Sequence, residues 1–270
     1  MGPSNRRDVL ERIEAHPLGD TPAEMRAAFP RRIGPQPAGE PHPLGLRVGR
    51  GPRVLFFHGG GYVFGEPESH LAAATRLAAA GLEVVLPRYP LAPEAPWPAQ
   101  LDAARDDLAS VEGPVAVAGI SAGGHLALNL ALDMPGRIAA LALISPNTDR
   151  TGRSATRVPN EASDAMNDDE GDRRLGEMAL GHLPDGDPAK SPLLADLAAL
   201  PPTFLSVGTD EVLLDDTLLL SRALGRAGVA TRLETLPGAF HMAHLWPDAL
   251  PDAGAALDAI GTWLRARLGA

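Results

Sequence analysis

The chain has 270 residues, 44% of them apolar, and a net charge of −10. That suits a sizeable packed core and leaves no clustered cations to neutralise a nucleic-acid backbone. Cysteine is absent, which excludes disulfides, thiolate metal sites and cysteine nucleophiles. No stretch approaches the roughly 18 apolar residues of a membrane span, and Met1–Ile13 carries charges without an apolar signal core, so a cytoplasmic location is expected.

Residues 1–43 are rich in Pro, Gly and charge. Helices are expected at Ser4–Ala15 and at Thr21–Phe29, where Thr21 can cap, Pro22 can open the helix and Glu24 can complete a capping box. Pro35–Pro43 reads as an extended linker. From residue 44 short apolar runs alternate with helical stretches. Strands are predicted at Arg53–Phe57, Leu82–Pro87, Val115–Gly119, Ile138–Ile144, Thr203–Val207 and Thr231–Leu236. Helices are predicted at Ser69–Ala80, Ala99–Val111, Ala122–Asp133, Leu213–Ala227 and about Ala249–Leu268. Runs apolar at nearly every position fit a parallel sheet buried on both faces, and the alternation implies an α/β fold with crossover helices on both sides. Residues 146–192 break this rhythm with many Asp, Arg, Gly and Asn. The segment is too long for an ordinary loop and should hold a helix, such as Asp172–Gly181, or form a lid.

Gly119-Ile120-Ser121-Ala122-Gly123 follows an apolar strand and opens a helix, the context of a G-x-S-x-G nucleophile turn. Side chains two residues either side of the serine would collide in so tight a turn. The helix start then directs amides and a positive dipole end toward a reacting carbonyl. His58-Gly59-Gly60-Gly61 follows the first strong strand, and its glycines let backbone amides approach a ligand. A phosphate-binding loop is excluded there, because no Gly-Lys-Ser/Thr follows. An oxyanion needs such donors, and the Ala122 amide offers another.

The chain has eight histidines, and a base should lie after a late strand. His16 and His42 fall in the N-terminal extension, His70 and His182 in exposed-looking contexts, and His125 on the helix after the serine. His241 and His244 both follow Pro237-Gly238, and His241 is the nearer to the turn. A metal pair is disfavoured because no third ligand adjoins them. The acid should lie between serine and histidine in chain order. Asp210 follows the strand Thr203–Val207 at its carboxyl end, where sites of open α/β sheets gather. Glu211 is its rival, whereas Asp215 and Asp216 already belong to the next helix.

Taken together, these segments resemble the hormone-sensitive-lipase-like (bacterial type IV) esterases of the α/β-hydrolase superfamily. The likeness runs from about residue 20 to the end and is nearest to short ε-lactone hydrolases and acetyl-ester hydrolases. It is carried by His58-Gly-Gly-Gly-Tyr-Val-Phe-Gly, by Tyr89-Pro-Leu-Ala-Pro-Glu94, by Gly119–Gly124, by Gly208-Thr-Asp210-Glu-Val-Leu-Leu-Asp and by Gly238-Ala-Phe-His241. The resemblance implies one hydrolase domain over 1–270 with cap elements from about 1–43 and 146–192. It implies Ser121, Asp210 and His241 as catalytic residues and the Gly60, Gly61 and Ala122 amides as the oxyanion hole. It favours Asp210 over Glu211 and His241 over His244.

The implied reaction is hydrolysis of carboxylic esters of small acyl groups through an acyl-enzyme, without metal or cofactor. Lactone or amide hydrolysis, or a non-catalytic ligand-binding role, are the alternatives. A small ester is the implied partner, with a homodimer allowed through the last strand or helix. Tyr62, Ile120 and Phe240 are expected to contact substrate, and Phe64, Trp97, Met166 and Trp246 are further candidates for apolar walls. Two departures stand out: Ile120 replaces the usual aspartate before the serine, and Pro146–Glu170 is unusually polar for a cap.

Overall fold

The computed structural model describes residues 2–269. Among these residues eight strands form one sheet: β1 (Glu40–His42), β2 (Gly45–Gly49), β3 (Arg53–Phe57), β4 (Glu83–Pro87), β5 (Val115–Ile120), β6 (Ala140–Ile144), β7 (Thr203–Gly208) and β8 (Thr231–Leu236). Their order is β1-β2-β4-β3-β5-β6-β7-β8. From β4 to β8 all neighbours are parallel, with Val54 level with Val84 and Ala116, and Leu205 level with Leu233. Every residue of β4 to β7 other than the first of β3 is buried, so helices cover both faces.

The antiparallel edge is a correction to the sequence reading. Glu40–His42, expected within a linker, pairs with Gly45–Gly49, which in turn runs antiparallel to β4. This edge strand is short, largely exposed and carries Pro41. Without apolar alternation it leaves no strand signature, and its outer position tolerates a residue without an amide donor.

The helices are α1 (Arg6–Ala15), α2 (Pro22–Ile33), α3 (Leu71–Ala78), α4 (Ala99–Ala109), α5 (Ala122–Asp133), α6 (Asp169–Leu180), α7 (Leu214–Arg226) and α8 (Pro251–Arg267). The Thr21–Glu24 capping box forms as expected, but α2 continues past Phe29 through Pro30 to Ile33. A proline there removes one helical bond, and burial of Phe29, Arg32 and Ile33 on the same helix holds the last turn in place. No helix among the described residues is long and apolar enough to cross a membrane.

The polar segment after β6 buries part of its charge in ion pairs, some within the segment and some to α7. Arg157, 8% exposed, reaches Asp172 at 2.7 Å and Asp216 at 3.0 Å, and so ties the segment to α6 and α7. Arg150 also pairs with Asp172, and Asn147 donates to both of its oxygens. Removing one partner from a buried pair strands the other charge. Arg157→Ala should therefore lower unfolding free energy by about 3–5 kcal/mol. Its neighbour Val158, 67% exposed, should tolerate Val158→Ala within about 0.5 kcal/mol, both read from urea midpoints.

Candidate active site

β5 ends at Ile120 and α5 begins at Ala122, so Ser121 alone makes the turn between them. It does so at φ 57° and ψ −121°, a conformation that residues with a Cβ rarely hold. The flanking glycines make this possible. A Cβ on Gly119 would lie 2.0 Å from the Gly123 carbonyl oxygen, and one on Gly123 would lie 2.1 Å from that of Phe57. The Ser121 amide donates to the Ile144 carbonyl at 2.9 Å, which fixes the turn against β6.

His241 Nε2 lies 2.9 Å from Ser121 Oγ, and its Nδ1 lies 2.9 Å from Glu211 Oε2. With Nδ1–H donating to the carboxylate, Nε2 is the acceptor and the serine hydroxyl donates. Glu211 is fully buried, and its other oxygen accepts the Gly208 amide at 2.6 Å and the Ser145 hydroxyl at 2.7 Å.

The carboxylate against the imidazole is therefore Glu211, which corrects the expectation of Asp210. The Asp210 side chain is 31% exposed, and its nearest cation is Arg6 at 3.9 Å. The cause lies in the turn after β7. The Asp210 amide is held by the Ala239 carbonyl, and the chain then folds back so that Glu211 points over the strand end.

Burial alone would push the His241 imidazole down. The hydrogen bond to Glu211, the Glu211 charge and the charges of Asp164 and Asp172 outweigh that and raise it above its ordinary value. The other buried histidines lack such a carboxylate partner. Burial lowers His58 and His244 to about 4 and His125 to about 3. His244, set aside in favour of His241, packs with its Nε2 2.9 Å from Ser206 Oγ. His70, expected to be exposed, is fully buried, and its Nε2 accepts the Gly59 amide at 3.0 Å.

That bond anchors the glycine loop from behind. His58 stacks on Tyr89 with ring centroids 4.1 Å apart, and the Tyr89 hydroxyl donates to the His58 carbonyl at 2.7 Å. Gly60 and Gly61 adopt φ of 118° and 61°, and among the described residues neither amide has an acceptor. Ala122 opens α5, so its amide is one of the free donors of a helix N-terminus. The three amides expected to bind an oxyanion thus come from the loop after β3 and from the turn that holds Ser121.

Ser121, His241, Gly60 and Gly61 open into a cavity of about 370 Å³. Leu18 and Met25 from the N-terminal region, Phe64, and Met166 and Leu175 from the 146–192 segment give its apolar walls. Arg32, Asp164 and Asp172 add charge.

Tyr62, Ile120 and Phe240 do not line this cavity, which corrects their expected contact with substrate. Tyr62 is buried with its hydroxyl 2.7 Å from His125 Nδ1, Ile120 is fully buried, and Phe240 packs on Trp246. Of the other expected walls, Phe64 and Met166 do line it. Trp97 instead packs on Tyr62 and His125, and Trp246 donates to the Ile33 carbonyl. Met25, Arg32, Asp164 and Leu175 escaped the sequence reading, since no local motif marks them.

The sequence pattern of the alpha/beta hydrolase fold family matches residues 54–245. The chain is 34% identical over 236 residues to an acetyl-hydrolase of Streptomyces hygroscopicus, covering 81% of this chain and 77% of that protein. It is 32% identical over 216 residues to an esterase of Acinetobacter venetianus, covering 76% and 71%. A solved esterase of the bacterial hormone-sensitive lipase family superimposes with a TM-score of 0.88 at 30% identity, over 97% of this chain and 98% of that one. The chain thus belongs to the α/β-hydrolase family, among its hormone-sensitive-lipase-like bacterial members, and is an ester hydrolase.

Proposed function

We propose that this ester hydrolase cleaves carboxylic esters of small or short-chain acyl groups by acyl transfer to Ser121. The observation that carries this reading is the unbroken hydrogen-bond chain from Ser121 Oγ through His241 to Glu211, beside two glycine amides with no other acceptor.

His241 Nε2 takes the hydroxyl proton as Oγ attacks the ester carbonyl. Negative charge develops on the carbonyl oxygen, and the Gly60, Gly61 and Ala122 amides stabilise it. Glu211 holds the imidazole tautomer and stabilises the imidazolium that forms. The imidazolium then protonates the leaving alcohol. Neutral again, His241 deprotonates a water that attacks the acyl-enzyme and releases the acid.

The N-terminal stretch up to about residue 43 and the 146–192 segment act as the cover of a single hydrolase domain. Met25, Met166 and Leu175 supply an apolar wall from both pieces. A small acyl group agrees with the acetyl-hydrolase name of one relative.

p-Nitrophenyl acetate and butyrate should be hydrolysed with higher kcat/KM than the decanoate, and Ser121→Ala should hydrolyse none of them. A folded wild type inactive on every chain length contradicts the proposal. Glu211→Gln should lower kcat by about 10³- to 10⁴-fold, as loss of the orienting carboxylate does elsewhere. Asp210→Asn, at a partly exposed position, should change it by less than about fivefold. Because His241 must be neutral to accept the proton, kcat/KM should rise with pH. Its half-maximal point should lie above the ordinary imidazole value and move to lower pH in Glu211→Gln, as measured by initial rates across pH 5–9.

A further inference from the structure

The catalytic loops are held by a carboxylate that belongs to neither of them. Asp164 lies in the segment between β6 and α6, is 8% exposed and borders the cavity beside Ser121. Its Oδ1 accepts the His241 amide at 3.0 Å, and its Oδ2 accepts the Val212 amide at 3.0 Å. The same side chain also accepts the Met166 amide at 3.1 Å, closing a turn in its own segment. One carboxylate thus joins the backbone of the base to the residue that follows Glu211.

Two neighbours reinforce only one side of this clasp. Asn160 donates to the Thr209 and Glu211 carbonyls, and Ser163 to that of Asp210. Arg32 of α2 in turn donates to the Ala165 carbonyl at 3.1 Å and contacts Met166 Sδ at 3.3 Å, which pins the segment from outside.

We infer that Asp164 is a positioning residue for catalysis, a clamp through which the cover of the pocket sets the distance between the His241 ring and Glu211. This rests on the proposed roles of Ser121, His241 and Glu211. The two loops are joined to each other directly by the Asp210 amide on the Ala239 carbonyl, by the Gly238 amide on the Thr209 hydroxyl and by the imidazole–Glu211 bond itself. Asp164 adds a bridge from outside both loops, a single side chain that accepts the Val212 amide of one and the His241 amide of the other. A misplacement on the order of 1 Å at a reacting group can cost about 100-fold in rate.

The charged or titratable groups facing Asp164 are Glu211, His241 and Arg32. Burial pushes its carboxyl up to about 6, yet above that pH its negative charge adds to that of Glu211 in favouring protonated His241. The clamp therefore leaves a mark that a structural carboxylate remote from the imidazole, such as Asp149, does not.

The test compares Asp164→Asn with Asp149→Asn. Asp149 is also buried in this segment, but its side chain accepts only from neighbouring Thr151, Arg153 and Ser154. With p-nitrophenyl acetate, Asp164→Asn should lower kcat by about 10- to 100-fold with a smaller change in KM. It should also move the acid limb of kcat/KM to lower pH by about half a unit or more. Asp149→Asn should lower the melting temperature and leave that limb where it is. The inference is overturned if the limb stays fixed in Asp164→Asn, or if its activity falls only as far as its melting temperature accounts for.

Should Asp164→Asn not fold, the wild type decides. The amide proton shifts of Val212 and Met166, two donors to one carboxylate, should share a single inflection on titration, and unrelated curves overturn the inference. An inactive wild type, or an active Ser121→Ala, would instead remove the acyl-transfer reading beneath it.

Discussion

The site depends first on a steric constraint, the seating of Ser121 in a left-handed turn between β5 and α5. The conformation is costly for any residue with a side chain, and it persists because the surroundings leave no other path. Gly119 and Gly123 touch backbone so closely that a methyl group on either would force the strand and helix apart. Gly59 is similarly confined, since a Cβ there would lie 3.2 Å from that of Ser121. The glycine loop, the end of β3 and the start of α5 are thereby fixed relative to one hydroxyl, and the remaining groups converge on that point.

Electrostatics then selects one imidazole. His58, His70, His125 and His244 are buried and held down toward the neutral form by desolvation. They serve as fixed hydrogen-bonding parts: His70 accepts the Gly59 amide, and His125 meets Tyr62. His241 is equally buried, yet it is raised because a carboxylate lies on its Nδ1. Burial is common to these rings, and the carboxylate on Nδ1, with the charges of Asp164 and Asp172 behind it, separates the one suited to carry a proton from those that frame the site.

Much of this was legible in the sequence because it is written locally. The strands of the parallel sheet fall within a residue or two of the apolar runs, and both the glycine loop and the serine turn announce themselves by residues that tolerate unusual backbone. The β1–β2 edge was not legible, because an exposed strand needs no apolar pattern. Choosing between Asp210 and Glu211 failed for a different reason. Both follow the same strand, and the choice is made by a turn that buries the second and exposes the first.

Tyr62, Ile120 and Phe240 illustrate the same limit, since adjacency along the chain to a site residue does not direct a side chain into the site. Ile120 ends a strand buried on both faces, and its side chain stays in that core. Met25, Leu175 and Asp164 reach the cavity only through tertiary packing of distant segments, so no spacing in the sequence could reveal them. The polarity of the 146–192 segment was visible, but its meaning was not: its charges pair internally around Asp172.

The central claim is that one hydroxyl, activated by its surroundings, becomes covalently attached to the acyl group. The most direct measurement is intact-mass analysis and peptide mapping after reaction with a fluorophosphonate. The account predicts a single adduct per chain, on the peptide that contains Ser121. An adduct at another residue, or continued ester hydrolysis by an enzyme that the reagent leaves unmodified, would contradict it.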